Sequence, residues 1–460
     1  MKTVFSGWRY LFKSEDIRRK LLITLLLLVI YNLATYVPVP GINMTALKAL
    51  TASLSGSGGT FFDFLNMLSG GTIARFSLLA MGVYPYITAQ IILQLLLPII
   101  PALQRRMEED PREGRKWMEK WTYYLAIPMA ALSAIGQINI FNTYASRIPA
   151  LNGANVVDFG LSGSQLVPSV AVLFSMIAGT MFAIWLGELI SEYGIRGQGL
   201  SLIIFAGIVS KMPSNFGSLL ADKTHGWILV IATIIVIIAV IFAIVFVQQG
   251  RRNVPVMYPG RRVGNRMSMP VKGTLPLMVN LAGMIPLIFG SALLQFPAII
   301  ASYFTASKNT SIANFAQSTV NVFSSTSWVY WLLYFLMVVV FTFFYTDVLF
   351  TQQNYGENLK KMGAQIPGVN RGAPTQKYLT RVQRRITFPG ALFLGIVAIL
   401  PYLINLVLQA FKIGSSASNS TLFLVTSAGL LIVVGVVRDT FQNIEAELKL
   451  HGYEDSLLVK

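Results

Sequence analysis

The chain is poor in the residues that most catalytic and metal sites need. Its 460 residues include no cysteine and two histidines, and 12% are charged, whereas a soluble domain carries about 25%. Without cysteine, disulfides and thiolate metal sites are excluded, and His225 and His451 fall far apart in predicted loops. We therefore expect no metal and no cofactor. With 54% hydrophobic residues, the composition indicates a membrane protein with many spans.

No catalytic constellation is found either. The sequence shows no Ser/His/Asp set, no phosphate-binding glycine loop and no paired carboxylates within an apolar run. Glu188 and Glu192 close the fourth predicted span, and Asp347 lies near the end of the eighth. Proton- or ion-coupled transporters usually place a carboxylate or a histidine within the membrane. We expect a protein that is not an enzyme and not an active transporter, although coupling through unwound backbone carbonyls stays open.

Apolar runs of near-membrane length recur along the whole chain. The polar segment 1–20 is followed by a run that ends in Pro38-Val39-Pro40-Gly41 rather than in a cleavage site, so we interpret that run as the first span. The predicted fold class is an all-α polytopic membrane protein. Its ten predicted spans are 21–37, 72–100, 118–138, 166–190, 200–216, 226–248, 275–300, 328–350, 387–411 and 421–438.

Lysine and arginine lie mostly on one side of these spans. One set of segments holds 29 of the 36, and the opposite side holds 7. By the positive-inside rule this division predicts both termini in the cytoplasm and supports an even number of spans. Five spans in 1–216 and five in 217–460 would give two halves of opposite orientation. Inverted repeats usually form a site or pathway at their interface.

The stretch from 61 to 101 predicts a short half-helix hinged to a full span. Phe61, Phe64, Leu65 and Leu68 share one helical face, and Gly70-Gly71 then interrupts the helix. The run 72–100 is long enough to cross a bilayer, and we expect Pro85 to bend it. Irregular backbone at membrane depth needs protein or a water-filled cavity around it. The pattern suggests a cavity with a movable piece, although a re-entrant or capping outer loop explains it equally well.

Two long loops on the predicted cytoplasmic side are strongly basic. Residues 249–274 contain six basic residues and no acid, and 351–386 contain seven against Glu357 alone. The positive-inside bias and anionic lipids can explain such charge, but so can docking of an acidic partner or of RNA phosphates. The basic residues are Arg251, Arg252, Arg261, Arg262, Arg266, Lys272, Lys360, Lys361, Arg371, Lys377, Arg381, Arg384 and Arg385.

Several motifs follow one another along nearly the whole chain. They are Val37–Gly41, Phe62–Leu65, Tyr84–Ala89, WLGELISEYGIRGQGLSLIIFAGIVS (185–210), LPLMVNLAGMIPLIF (275–289), ENLKKMGAQIPG (357–368), TQKYLTR (375–381), ITFPGALFLGIVAILP (386–401) and GLLIVVGVVRDT (429–440). Together, and in this order, they resemble the motifs of the SecY family of bacterial protein-conducting channels.

This resemblance implies two five-helix halves around an hourglass pore, and it assigns residues to three parts of it. A re-entrant plug half-helix would consist of about 61–70, with Phe61, Phe62, Phe64, Leu65, Met67 and Leu68. A constricting pore ring would be formed by Val83, Ile87, Leu200, Ile204, Ile285, Ile288 and Ile432. From composition alone, these residues would be interpreted as packing or lipid-facing residues. A lateral gate between the second and seventh spans would carry Thr88, Ser133 and Asn280.

The resemblance also implies partners and a location. The implied partners are the small subunits SecE and SecG, the SecA motor ATPase, the ribosome, preprotein substrates and anionic lipids, at the bacterial plasma membrane. The basic loops would be the docking surface for the ribosome and the motor. Two positions depart from the family pattern. The arginine that couples to the motor aligns with Asn370, beside Arg371, and Ser133 stands where the family has a glutamine in the third span.

Two other classes of protein stay as alternatives. A secondary transporter with inverted repeats would be marked by an ionisable residue at mid-membrane, or by a second broken helix at the matching position of the other half. The sequence shows neither clearly. A purely structural membrane scaffold would not need a glycine-hinged half-helix.

Overall fold

The computed structural model describes most of the chain. The described residues are 15–47, 76–97, 100, 103, 110–145, 156–157, 160, 166–195, 197, 199–220, 226–259, 262–263, 266–267, 271–304, 310–323, 327–410, 429 and 432–445. The predicted plug residues and Arg261 lie outside them. Arg262 and Arg266 are described by their backbone alone.

Most described residues are helical. The helices are α1 Glu15–Ala34, α2 Tyr84–Leu96, α3 Pro111–Ala145, α4 Leu166–Tyr193, α5 Gly199–Leu220, α6 Gly226–Gln249, α7 Ile285–Phe304, α8 Thr310–Val322, α9 Trp328–Gln353, α10 Tyr355–Lys361 and α11 Ala373–Ala410. A further helical segment, α12, covers 432–445. These helices coincide wholly or in part with all ten predicted spans, as expected of an all-α polytopic membrane protein.

Length and apolarity agree with a membrane location. Among the described residues, the helical stretches Leu166–Tyr193, Trp328–Lys361 and Ala373–Leu400 are long and apolar enough to cross a bilayer. Large apolar side chains also cover outward faces, as on α6, where Phe242 and Phe246 are 73% and 74% exposed. A soluble protein rarely exposes so much apolar surface, whereas lipid tails solvate it.

The first basic loop forms strands that the sequence analysis did not predict. Strand β1, Arg251–Tyr258, pairs antiparallel with β4, Val271–Met278, and the short strands β2, Arg262–Val263, and β3, Arg266–Met267, pair at the far end. The apolar residues 275–278 were assigned to the seventh span. A short apolar run does not distinguish a buried helix from a strand, and here it pairs with β1 instead.

The second and seventh spans both begin later than predicted. Residues 76–83 form turns in which Phe76 and Gly82 have positive φ, and α2 starts at Tyr84. Pro85 therefore lies in the first helical turn, where proline is tolerated, and the prediction that it bends a continuous helix is wrong. Similarly, residues 279–284 are irregular, Gly283 has a φ of 64°, and α7 starts at Ile285.

Candidate functional site

Apolar side chains from distant parts of the chain meet in one buried cluster. Val83, Ile204 and Ile432 are 4%, 7% and 3% exposed and belong to it, and Ile87 and Leu200 pack against it. These residues come from the start and first turn of α2, from α5 and from α12. The structure therefore places five of the seven predicted ring residues in or against one buried apolar cluster.

The seventh span contributes a residue that the sequence analysis missed. Met284, the last residue before α7, packs against the same cluster. Among the described residues, Ile288 is buried and Ile285 half-buried, but neither belongs to this cluster. An unbranched methionine side chain can adapt to neighbours of varied shape.

An internal repeat would have identified Met284. The stretch before α2 has the pattern Gly82-x-x-Pro85-x-Ile87, and the stretch before α7 has Gly283-x-x-Pro286-x-Ile288 at the same spacing. In this register Met284 corresponds to Val83, and Leu93-Gln94 corresponds to Leu294-Gln295. Both glycines have positive φ and both prolines fall in the first helical turn, so the starts of α2 and α7 share one local structure.

The predicted gate residues lie on helices or stretches that contact one another. Helix α7 contacts both α2 and α3. Thr88 is buried, and its hydroxyl donates to the carbonyl of Pro85 at 2.9 Å. The Asn280 side-chain amide donates to the carbonyl of Gly283 at 3.1 Å, and its buried Oδ1 has no partner among the described residues. Ser133 is half-buried on α3.

The two basic loops form a single unit. The Met257 amide in β1 donates to the Gln365 carbonyl at 2.7 Å, and the Gln365 amide donates back to Met257 at 2.9 Å. In addition, the Gln383 side chain on α11 donates to the carbonyl of Met278 at 3.0 Å. A cluster beneath both loops contains Val254, Val256, Leu277, Phe350, Leu359, Ala364, Ile366, Leu379, Val382 and Ile386. We call this unit the platform.

Exposed cations line an open cleft of about 780 Å³ on the platform. Lys377, Arg381 and Arg385 follow each other at intervals of four on α11, so they share one face of that helix. Lys360 and Glu357 form part of the opposite wall, on α10. Elsewhere on the platform, Arg251 and Arg252 on β1 are exposed, as are Asn370 and Arg371 before α11.

One cation of this cleft is already paired. The Arg384 guanidinium binds the Asp347 carboxylate through two nitrogens, at 2.8 and 3.1 Å. Hydrogen bonds and charge from Asp347 raise the pKa of Arg384 further above its usual value. Among the cations of the cleft, Lys377, Arg381 and Arg385 are thus better placed than Arg384 to meet an outside anion.

These features define a polytopic helical membrane protein in which α2 and α7 start in the same way, an apolar cluster joins distant parts of the chain, and two basic loops form a platform. The SecY family model matches residues 77–441. The protein translocase subunits SecY of Streptomyces galbus and Thermotoga maritima are each 35% identical, over 97% and 98% of this chain and 98% and 97% of their own length. The chain belongs to the SecY family.

Solved structures agree on the fold. A structure described as that of a protein-conducting channel aligns at a TM-score of 0.54 and 17% identity, over 93% of both chains. A second structure concerns the plug domain of the SecY protein, which is described as stabilising the closed state of the translocation channel, and it aligns at a TM-score of 0.51.

Proposed function

We propose that the chain is the channel subunit of a bacterial translocase, which passes unfolded secretory polypeptides across the plasma membrane. The family supports this function, and so does the buried cluster in which Val83 and Ile204 of the first half, 1–216, pack with Ile432 of the second, 217–460. A ring of apolar, flexible side chains can yield around a chain of any sequence. When empty, it blocks ions because a narrow apolar constriction loses its water.

The same arrangement supports sideways release of membrane segments. In this proposal the contact of α7 with α2 and α3 is the closed lateral gate, with Thr88, Ser133 and Asn280 near it. Partitioning drives exit, since each Leu, Ile, Phe or Val contributes about −0.3 to −0.6 kcal/mol at mid-bilayer. The plug, at about 61–70, would seal the outer side of the ring.

The platform is the proposed docking surface for the ribosome and the SecA motor. Its exposed arginines and lysines suit RNA phosphates or acidic protein surfaces, and its hydrophobic cluster makes it a rigid support. Arg371 is exposed beside Asn370 and can take the role of the family's coupling arginine. SecE and SecG are the proposed membrane partners, anionic lipids the proposed surrounding headgroups, and the cytoplasm the proposed location of both termini.

A secondary transporter is the alternative that the family disfavours. Helix α7 begins late, but it follows irregular residues and strand β4 rather than a half-helix, so it is not the second broken helix expected of such a transporter. Transport of a polypeptide separates the channel from the secondary transporter. We expect proteoliposomes that contain the chain, its small subunits and the motor to protect a preprotein from external protease when ATP is present. Failure to protect any preprotein, with uptake of a small solute instead, would favour the transporter.

A further inference from the structure

Helix α8 lies at the end of the molecule that is away from the platform. Helix α7 follows strand β4 of the platform, and its 20 residues make it about 30 Å long, which is enough to cross a bilayer. Helix α9 starts at Trp328 and runs back to α10, which belongs to the platform. In the chain α8 comes between the far ends of these two helices, and it packs against α7. It therefore lies near the membrane surface opposite the platform.

Side chains form three strips along α8 and the residue that follows it. Within each strip the positions are separated by three, four and three, so they share one face of the helix. The inner strip is covered by protein, since Ala316 is 2% exposed and Phe323 packs against the cluster that contains Tyr330 and Trp331. The inner strip consists of Ala313, Ala316, Val320 and Phe323, the polar strip of Ser311, Asn314, Ser318 and Asn321, and the apolar outer strip of Ile312, Phe315, Thr319 and Val322.

The apolar outer strip is not covered by the chain itself. Ile312, Phe315 and Val322 are 44%, 75% and 41% exposed. The hydroxyl of Thr319 donates to the carbonyl of Phe315 at 2.9 Å, so the fourth member keeps its polar group within the helix. Water solvates such a strip poorly, and a soluble protein rarely exposes a contiguous apolar patch. An apolar medium outside the chain is therefore expected to cover it.

The neighbouring ends of α7 and α9 are also apolar and exposed. Ile300 and Phe304 at the end of α7 are 54% and 52% exposed, and Trp328 at the start of α9 is 63% exposed. These side chains belong to spans, whose apolar surface lipid solvates, and aromatic residues are enriched where the membrane meets water. Because α8 packs against α7, its outer strip continues this lipid-facing surface. Residues 310–323 carry no charge, so an acidic or basic partner would find no ion pair there.

We propose that α8 is an interfacial helix whose apolar outer strip inserts into the lipid leaflet opposite the platform. Helices of this kind bury their apolar face about 5–10 Å into the boundary between headgroups and acyl chains. The polar strip then faces the headgroups and water, and α8 holds the adjoining ends of α7 and α9 at a fixed depth. Since the polar strip is uncharged, apolar burial alone drives the insertion, and anionic lipid is not needed. The proposal requires a membrane location and does not depend on the channel function.

The test measures how close each strip lies to lipid. The chain has no native cysteine, so Ile312→Cys, Phe315→Cys and Val322→Cys can each be labelled with a polarity-sensitive fluorophore in the full chain with its small subunits. Each labelled protein is reconstituted into phosphatidylcholine vesicles that contain spin-labelled lipid. We expect the emission to shift to shorter wavelength and to lose intensity. A spin label near the headgroup should quench more than one at the end of the acyl chain, because the helix lies at the interface.

Asn314→Cys and Ser318→Cys are the matched controls. Both residues are exposed on the polar strip of the same helix, and Asn314 is the direct neighbour of Phe315. Their labels should keep the emission of a fluorophore in water and be quenched less. Replacing part of the phosphatidylcholine by anionic phosphatidylglycerol should leave the quenching at all five positions unchanged. Where one variant of the outer strip does not fold, the other two decide.

Four results would overturn the interfacial helix. Equal quenching on the two strips would mean that the strips do not differ in their contact with lipid, and no quenching on either would place α8 in water. Emission at shorter wavelength without quenching by lipid would mean that protein, such as a second copy of the chain, covers the outer strip. Quenching that appears only with phosphatidylglycerol would mean that charge drives the contact. Export of a preprotein does not enter this measurement, so its failure would contradict the channel function and leave the position of α8 to the quenching.

Discussion

Replacing Lys377, Arg381 and Arg385 together by alanine should weaken ribosome binding and make it less dependent on salt. The three side chains are exposed, share one face of α11 and line one cleft. For single-stranded and duplex nucleic acid, each neutralised phosphate contributes about 0.7 to 0.9 to the slope of log affinity against log salt. Three lost contacts should lower that slope by about 2 to 3. Alanine is the best helix former, so α11 itself should persist.

The assay is a binding titration of reconstituted channel to ribosomes at several salt concentrations. Arg18→Ala with Arg19→Ala is the matched control, since both side chains are exposed at the start of α1, which packs against α4 and α5. Arg384→Ala should change the slope less than any of the three, because Asp347 already pairs with Arg384. A triple variant with an unchanged slope, or a control pair with an equal effect, would refute the reasoning.

Three further outcomes follow from the packing. Glycine at Val83, Ile204 and Met284 together should open an ion leak in planar bilayers, since these side chains fill the apolar centre, whereas unchanged conductance would contradict the ring. Gly179→Ala on α4 should abolish folded yield in detergent, because its Cβ would lie 1.9 Å from the backbone carbonyl oxygen of Leu78, and a normally folded variant would contradict this contact. Gln383→Leu should lower the free energy of unfolding by about 0.5 to 1.5 kcal/mol, because the part-buried carbonyl of Met278 loses this donor. An unchanged melting temperature of the Gln383→Leu variant would contradict the role of the hydrogen bond between Gln383 and Met278.

The sequence predicted those features that depend on local pattern. The long uninterrupted apolar runs of α4 and α9 were predicted to within three residues at each end, because a helix satisfies all its own backbone groups within lipid. The ring residues came from resemblance rather than from pattern. Apolar residues at mid-span look alike whether they face lipid or a pore, and only the tertiary contacts of Val83, Ile204 and Ile432 separate them.

The features that were missed depend on pairing between distant residues. Strand β4 lies in an apolar run whose pattern predicts the start of a span, and only its pairing with β1 identifies it as a strand. Backbone hydrogen bonds between Met257 and Gln365, which are far apart in sequence, join the two basic loops. The late starts of α2 and α7 were predictable from the glycine and proline that they share, but only once the two halves were compared with each other.

The most direct test of the central claim is a crosslink from the apolar centre to a polypeptide in transit. The chain has no native cysteine, so single cysteines at Ile87, Ile204 and Ile432 can each be probed against a cysteine in a stalled preprotein. Phe242, exposed on the outer face of α6, is the control position. The channel account predicts crosslinks from the three central positions and none from Phe242. Crosslinks from Phe242 alone, or from no position in an otherwise active preparation, would place the path of the polypeptide elsewhere and contradict the account.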